Sequence, residues 1–320
     1  MLNEFGLIKH YFNRPAPEGY LGVGDDCALF APTPGWQLAS SVDLLIEGQH
    51  FFPDVSPFLL GHKSLAVNLS DLGAMGARPR ACLLALSLPS VQPDWLEAFS
   101  RGIFQLAEQA QCPLIGGDTT RSPQGVVISI TVLGEVRPGQ ALLRSAARPG
   151  DDIWLTGTLG AADIALRLLQ GRLPADPDRL AQCRPALEQP WPPYRLGHAL
   201  CGLAHAAIDV SDGLVQDLGH IASASRCAAV LEWDALPLDP GLDGLPLALR
   251  REAALVGGDV FQLCFTSPAE RRDEITALAR REGVSVNRIG SMQAGHGVHL
   301  RDAQGLRPAP AQGGFDHFGA

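Results

Sequence analysis

Apolar residues between positions 94 and 111 recur at helical spacing. Leu96, Phe99, Ile103, Leu106, Ala107 and Ala110 fall on one face, as the 3.6-residue period requires. Asp94 and Glu97 stand at capping-box spacing near the start, so a helix with one buried face is predicted over 94–111. A second helix is predicted over 267–283. There Ser267 is placed as the cap, Pro268 at the first helical position, Glu270 three residues after the cap and Gly283 at the stop. Residues 125–136 are β-branched and partly alternating, while 151–157 and 228–233 are short and apolar. All three read as strands, alternating with helices along the chain.

Two Pro-Gly pairs break the pattern across 136–152. A domain boundary is placed there, giving an N-terminal domain over 1–137 and a C-terminal domain over 150–320. A second proline-rich piece, QPWPPYRLG at 189–197, reads as a loop delivering a helix. The order of elements predicts two α/β or α+β domains.

A chain of 320 residues with 46% hydrophobic and 18% charged residues is long enough for two cores. No stretch approaches the ~18–20 apolar residues of a membrane span, and the start, MLNEFGLIKHYF, lacks a basic region followed by an apolar one. A cytoplasmic protein is expected, with no membrane partner. The seven cysteines are scattered singly without a CxxC pair, which argues against a disulfide framework or a zinc site and for small buried hydrophobes. The formal charge is −9, and Lys9 and Lys63 are the only lysines. No basic stripe is visible, so no nucleic-acid partner is expected. A phosphorylated ligand would have to be bound with the help of cations.

Carboxylates cluster at the ends of apolar segments. Asp25 and Asp26 adjoin in VGDDCALF, Asp43 lies in SSVDLLIEGQHF and Asp71 in HKSLAVNLSDLGAMGARP. Asp118 sits in IGGDTTRS, and Asp209 and Asp212 flank Val210 and Ser211 in AAIDVSDGL. Each alone is ordinary turn or cap chemistry. Together they concentrate negative charge on loops of an already acidic chain, and divalent cations would neutralise it. Oxygen-only donor sets suit magnesium or calcium, and magnesium keeps waters and bridges to substrate phosphates. The EF-hand spacing is absent. So is a Walker A loop: GHKS at 61–64 lacks the GK pair, and Lys63 reads as an ordinary helix lysine. The kinase signatures HRD and DFG are absent too. Phosphate chemistry here would be metal-led.

These motifs resemble those of the thiamine-monophosphate kinases, members of a superfamily that also holds aminoimidazole ribonucleotide synthetase, selenophosphate synthetase and a hydrogenase maturation protein. The resemblance runs from GLIKHYF through GVGDDCALF, SVDLLIEGQHF, NLSDLGAMGARP, GGDTTRS and IDVSDGL to GFDHF, in order and over essentially the whole chain. It implies an N-terminal domain of mixed sheet and helices that dimerises through its sheet and a C-terminal α/β domain, with ATP and several magnesium ions between them. It implies transfer of phosphate from ATP to thiamine monophosphate by a direct in-line step. Carried over position by position, Asp26, Ser41, Asp43, Asp71, Asp118, Asp209 and Asp212 resemble metal ligands, with Asp25 a further one. Gly117, Asp118, Arg144 and Ser211 resemble ATP contacts, and Asp118, Asp212 and Arg144 the catalytic groups. His50, Asp259 and Phe315 resemble substrate contacts.

Two departures stand out. Where the family usually shows GGEDYEL, this chain has GGDVFQL at 257–263, keeping a carboxylate at Asp259 but placing Val260, Phe261 and Gln262 after it. At Val42 the family often has threonine. Two other readings stay open from the sequence. One is a related ATP-using enzyme with another acceptor, against which no cysteine closes the chain, which ends FDHFGA. The other is a nucleotide- or metal-binding protein whose altered 257–263 loop no longer takes substrate.

Overall fold

The structure, a computed structural model, describes residues 3–310. Phe315 and the rest of GFDHF lie outside the described residues. The chain divides into two compact units, one holding residues to Leu72 and Ala77–Gly139, the other Gly73–Gly76 and everything from Gln140.

The first unit opens with helix α1 (Glu4–Leu7), where the Asn3 side chain accepts the Gly6 N–H at 2.8 Å. A small hairpin follows, β1 (Tyr20–Leu21) against β2 (Leu29–Phe30). Then come β3 (Gln37–Ile46), α2 (Pro57–Ala74), β4 (Arg78–Leu88), α3 (Pro93–Ala110), β5 (Leu114–Arg121) and β6 (Val127–Val136). The four long strands form one sheet in the order β3-β6-β4-β5. Only β4 and β5 are parallel, and α3 is the crossover that a parallel pair needs. Alternation along the strands separates two faces. Ile128, Ile130 and Val132 of β6 are buried with Leu65 and Leu69 of α2 and Phe99 and Ile103 of α3. On β3 the opposite positions, Leu38, Val42, Leu44 and Ile46, are 58%, 59%, 50% and 38% exposed.

In the second unit β7 (Asp152–Thr156), α4 (Ala161–Leu169), α5 (Pro177–Glu188), α6 (Tyr194–Ala199), β8 (Ala206–Val210) and α7 (Leu214–Ser225) come first. They are followed by β9 (Ala228–Glu232), α8 (Leu247–Leu255), β10 (Gln262–Ser267), α9 (Arg272–Glu282), β11 (Val286–Gln293), β12 (Gly297–Asp302) and β13 (Gly305–Pro308). The seven strands run β13-β12-β9-β11-β7-β10-β8, antiparallel except for β12 on β9. Strands β7 and β8 are buried along their whole length. That burial reflects apolar packing on both faces. Ile153, Leu155, Ile208 and Val210 join Leu214, Leu218 and Ile221 of α7 in one cluster, and Trp154, Ala207 and Phe265 join Ile275 and Leu278 of α9 in another. The proline-rich 189–197 segment leads into α6.

Several local expectations are corrected. Gln92 stands at the N-cap position of α3, without a side-chain capping bond, and Pro93 starts the helix, so Asp94 lies in the first turn and is not the cap. There its charge faces the positive end of the helix dipole. Ser267 does not cap a helix: it ends β10, is fully buried and accepts the Trp154 indole N–H at 3.0 Å. A 3-10 turn over Ala269–Arg271 precedes α9, which does stop at Gly283 in the left-handed region (φ 69). Cys27 is exposed and Cys201 half-buried, unlike the other five cysteines, which are buried. Lys63 is in a helix but only 3% exposed, so it is a buried lysine rather than a solvated one.

Candidate functional site

In the first unit, alternation on β3 puts Ser41 and Asp43 on the helix-covered side, opposite Val132 and Ile130. Helix α2 presents Asn68 and Asp71, one turn apart, to that strand. The Ser41 hydroxyl donates to Asp71 Oδ2 at 2.5 Å, and the Asp43 N–H donates to Asn68 Oδ1 at 3.1 Å. Asn68 is itself held by donating to the Ser64 carbonyl at 3.0 Å. Burial, and then the charge of Asp71, push the Asp43 carboxyl up to about 7. Two carboxylates this close, partly removed from water, resist sharing negative charge. Val42 points to the other face, so the departure from threonine there leaves this cluster untouched.

Asp118 stands on the edge strand β5, beside Ala85 of β4. Gly117 before it has φ 154, and a Cβ there would fall 1.8 Å from the Leu84 carbonyl oxygen. Only glycine lets the backbone approach so closely. His50 closes the turn after β3: its Nδ1 accepts the Ile46 N–H at 3.0 Å, which fixes the other nitrogen as the protonated one.

Asp25 and Asp26 lie exposed in the turn between β1 and β2, where water screens their mutual repulsion. That hairpin is pinned to the sheet by a residue the sequence did not single out. Arg80 is the extra residue of a bulge in β4. Its guanidinium donates to the Tyr20 hydroxyl at 3.0 and 3.1 Å and to Thr33 Oγ1 at 3.0 Å, and pairs with Glu135 at 2.5 Å. Tyr20 stacks on Phe30 across the hairpin, with centroids 5.2 Å apart. Burial would raise the Glu135 carboxyl, but bonds from Thr33, Arg80 and Arg78 outweigh it and hold it down at about 2.

In the second unit, Asp209 is buried near the end of β8, opposite Leu263 of β10. Ser211, Asp212 and Gly213 then form the turn into α7. Gly213 has φ 125, and a Cβ there would meet the Val256 carbonyl oxygen at 2.5 Å. Asp217, one turn into α7, was also missed by the sequence reading. Its Oδ2 accepts the N–H groups of Ser211, Asp212 and Gly213 at 3.0, 3.1 and 3.2 Å. Burial pushes its carboxyl up to about 7, helped by the charge of Asp212 and opposed by those N–H bonds. An acid in the first turn after SDG was the available signal.

The altered 257–263 loop lies along the same turn. The Asp259 N–H donates to the Ser211 carbonyl at 2.8 Å and the Phe261 N–H to the Val210 carbonyl at 2.7 Å. Both residues have positive φ, 57 and 49. For a bulky residue such as Phe261 this is an uncommon, costly conformation. Gln262, where the family has glutamate, accepts from the Thr156 hydroxyl at 2.8 Å and donates to the Trp191 carbonyl at 3.3 Å. Arg144 is exposed in a 3-10 turn whose carbonyl accepts from Ser225.

The structure thus brings Ser41, Asp43 and Asp71 together in one unit, and Ser211, Asp212 and Asp259 in the other. Among the described residues no three His, Cys, Asp or Glu side chains are grouped to hold a metal by themselves, and no helix is long and apolar enough to cross a membrane.

Residues 24–136 match the family model of the AIR synthase related protein N-terminal domain, and 148–303 that of the corresponding C-terminal domain. The chain is 43% identical to thiamine-monophosphate kinase of Salmonella typhimurium, over 98% of each chain. Its fold is similar to the crystal structure of thiamine-monophosphate kinase from Stenotrophomonas maltophilia K279a, with a TM-score of 0.83, 48% identity and coverage of 89% and 92% of the two chains. It is similar also to AaThiL complexed with AMPPCP and TMP, with a TM-score of 0.78, 28% identity and coverage of 99% and 97%.

Proposed function

The chain belongs to the AIR synthase related protein family and, within it, to the thiamine-monophosphate kinases, and from that premise we propose that it transfers the γ-phosphoryl group of ATP to thiamine monophosphate. One observation carries the reading: likeness over essentially the full length of both chains to thiamine-monophosphate kinases. The structure described as AaThiL with AMPPCP and TMP supports the pairing of nucleotide and acceptor.

The donor set is aspartate and serine oxygen, the chemistry that suits magnesium. Asp43 and Asp71 with Ser41, and Asp25, Asp26 and Asp118, are the proposed ligands in the first unit, as are Asp209 and Asp212 in the second. Bound magnesium supplies charge neutralisation at the phosphate oxygens. Among the described residues no three His, Cys, Asp or Glu side chains are grouped at one point, so water and phosphate oxygens would complete the shell, as is usual for this ion. The protein's own part is positioning. Gly117, whose missing Cβ lets β5 lie close against Leu84 of β4, is assigned to ATP through its backbone, Ser211 contributes a hydroxyl, and Arg144 offers a forked, permanently charged contact. Asp118, Asp212 and Arg144 are the groups assigned to the transferring phosphoryl. The acceptor is a phosphate oxygen, already ionised near neutral pH, so the transfer is direct and needs no strong base. His50, Asp259 and Phe315 are assigned to the acceptor side.

The protein is placed in the cytoplasm as a homodimer. The support for the dimer is the exposed apolar face of β3, an edge strand carrying Leu38, Val42, Leu44 and Ile46. Such a face on an edge strand is a partner surface or an aggregation hazard.

The test is ADP release and thiamine diphosphate formation from purified protein with ATP and magnesium, with and without thiamine monophosphate. The kinase reading expects both products only with the acceptor. ADP release that ignores the acceptor would favour a related ATP-using enzyme, and no release at all would favour a binding protein.

A further inference from the structure

We propose that Asp217 is a positioning residue for the phosphoryl transfer, holding the Ser211-Asp212-Gly213 turn in the shape that presents Ser211 and Asp212 to nucleotide and metal. The inference rests on the kinase reading and assigns a role to a residue outside the carboxylates that reading uses. An N-cap side chain ordinarily lies before a helix and reaches forward to its free N–H groups. Here the reach is backward. Asp217 sits inside the first turn of α7, with its own N–H on the Gly213 carbonyl at 3.0 Å, and one carboxylate oxygen gathers three successive N–H groups ahead of the helix. Asp217 is only 3% exposed, whereas Ser211 and Asp212 stay half-buried.

The other side of the same peptides is also held. The carbonyls of Val210 and Ser211 accept from Phe261 and Asp259, the two residues in left-handed backbone. The Ser211 peptide therefore has its N–H fixed by Asp217 and its C=O fixed by the 257–261 loop. Removing Asp217 leaves three N–H groups without their acceptor, and the turn must move to find others. A shift on the order of 1 Å in a group that orients the reacting phosphate costs about 100-fold in rate.

The experiment compares Asp217→Ala and Asp217→Asn with wild type in amide hydrogen exchange of the metal-free protein and in steady-state kinetics. Asparagine keeps one acceptor oxygen, so it is the rescuing variant. The expectation for alanine is faster exchange confined to the 209–214 segment and a fall in kcat of about 100-fold, with KM for thiamine monophosphate changed far less. Asparagine should keep slow exchange there and lose about tenfold or less. If alanine fails to fold, the asparagine result decides alone. Asparagine losing turnover about 100-fold with 211–213 still slow to exchange would assign the carboxylate to metal or nucleotide directly and overturn the proposal. Loosened exchange with undiminished kcat would overturn it too, as would exchange rising throughout the second unit in the alanine variant. A wild type inactive on thiamine monophosphate would remove the kinase reading alone, since the exchange measurement needs no substrate.

Discussion

The Ser41 hydroxyl donates to Asp71 across 2.5 Å, from a strand to a helix, while Asp43 two residues along the same strand face has its carboxyl pushed up to about 7 by burial and by that same Asp71, so that it is only partly ionised near neutrality. A serine can neutralise none of the charge. The cluster is therefore an acidic site whose empty form favours a proton and whose occupied form favours a cation.

The sign of its pH dependence follows. Asp43 has a folded pKa raised from 3.8 to about 7, so its contribution to stability is full below about pH 4 and is lost as pH rises through 7. Asp217, also raised to about 7, acts the same way. In the presence of a chelator, Asp43→Asn should raise the melting temperature at pH 8 by a few degrees relative to wild type. The same variant should lose nearly all turnover. A lowered melting temperature at pH 8 would mean that the charged carboxylate already has a compensating partner.

Magnesium should reverse that penalty. A cation competes with the proton at Asp43, so its binding releases protons and tightens as pH rises. Thermal shifts measured with and without saturating magnesium should be larger at pH 8 than at pH 6, by mass action on the native state. Shifts of equal size at both pH values would separate the metal from this cluster.

Glu135 predicts the opposite slope. Its folded pKa is about 2 against an ordinary 4.5, so its contribution is present above about pH 4.5 and is lost as pH falls through 2. Glu135→Gln should cost about 1–3 kcal/mol in urea unfolding at pH 7 and almost nothing at pH 2. Because Arg80 ties both Glu135 and the Tyr20–Phe30 hairpin, the variant should also speed proteolysis near Asp25 and Asp26. A pH-independent cost would point to packing in place of charge.

The exposed face of β3 should hold two copies together. Val42→Asp with Leu44→Asp places charge on that face without touching Ser41 or Asp43, which point the other way. Sedimentation of the double variant should give a monomer with native circular dichroism. A wild type already monomeric at micromolar concentration would end the dimer proposal.

Asp259 carries the acceptor-side prediction. With φ 57 it occupies a region that asparagine tolerates and valine does not. Asp259→Asn should raise KM for thiamine monophosphate several-fold and leave KM for ATP nearly unchanged, while Asp259→Val should destabilise the second unit. Equal effects on both substrates would make the residue a support of the turn at Ser211.

The sequence contains the triplet Gly-Asp-Asp twice, at 24–26 and at 150–152, and the two show where its information ends. Periodicity by itself determined the buried-face helix of 94–111 and the core strands within 125–136 and 151–157, because apolar spacing is a local property that backbone geometry must obey. The order of the motifs carried the resemblance to the family, which the comparisons bear out. The chain alone could not decide which aspartates are structural. At the first triplet both acids are exposed. At the second, Asp151 accepts from the Arg148 N–H and sits 2.9 Å from His205, and Asp152 takes a forked pair of bonds from Arg272 at 2.6 and 2.8 Å. His205 and Arg272 come from 54 and 120 residues away. The same holds for Asp217 and Arg80, whose importance lies in what they bind, and for the cap position, which proved to be Gln92 where Asp94 was expected. A carboxylate's local sequence fixes its charge, but its partners, its burial and therefore its pKa are set by chain segments that only the tertiary fold brings to it.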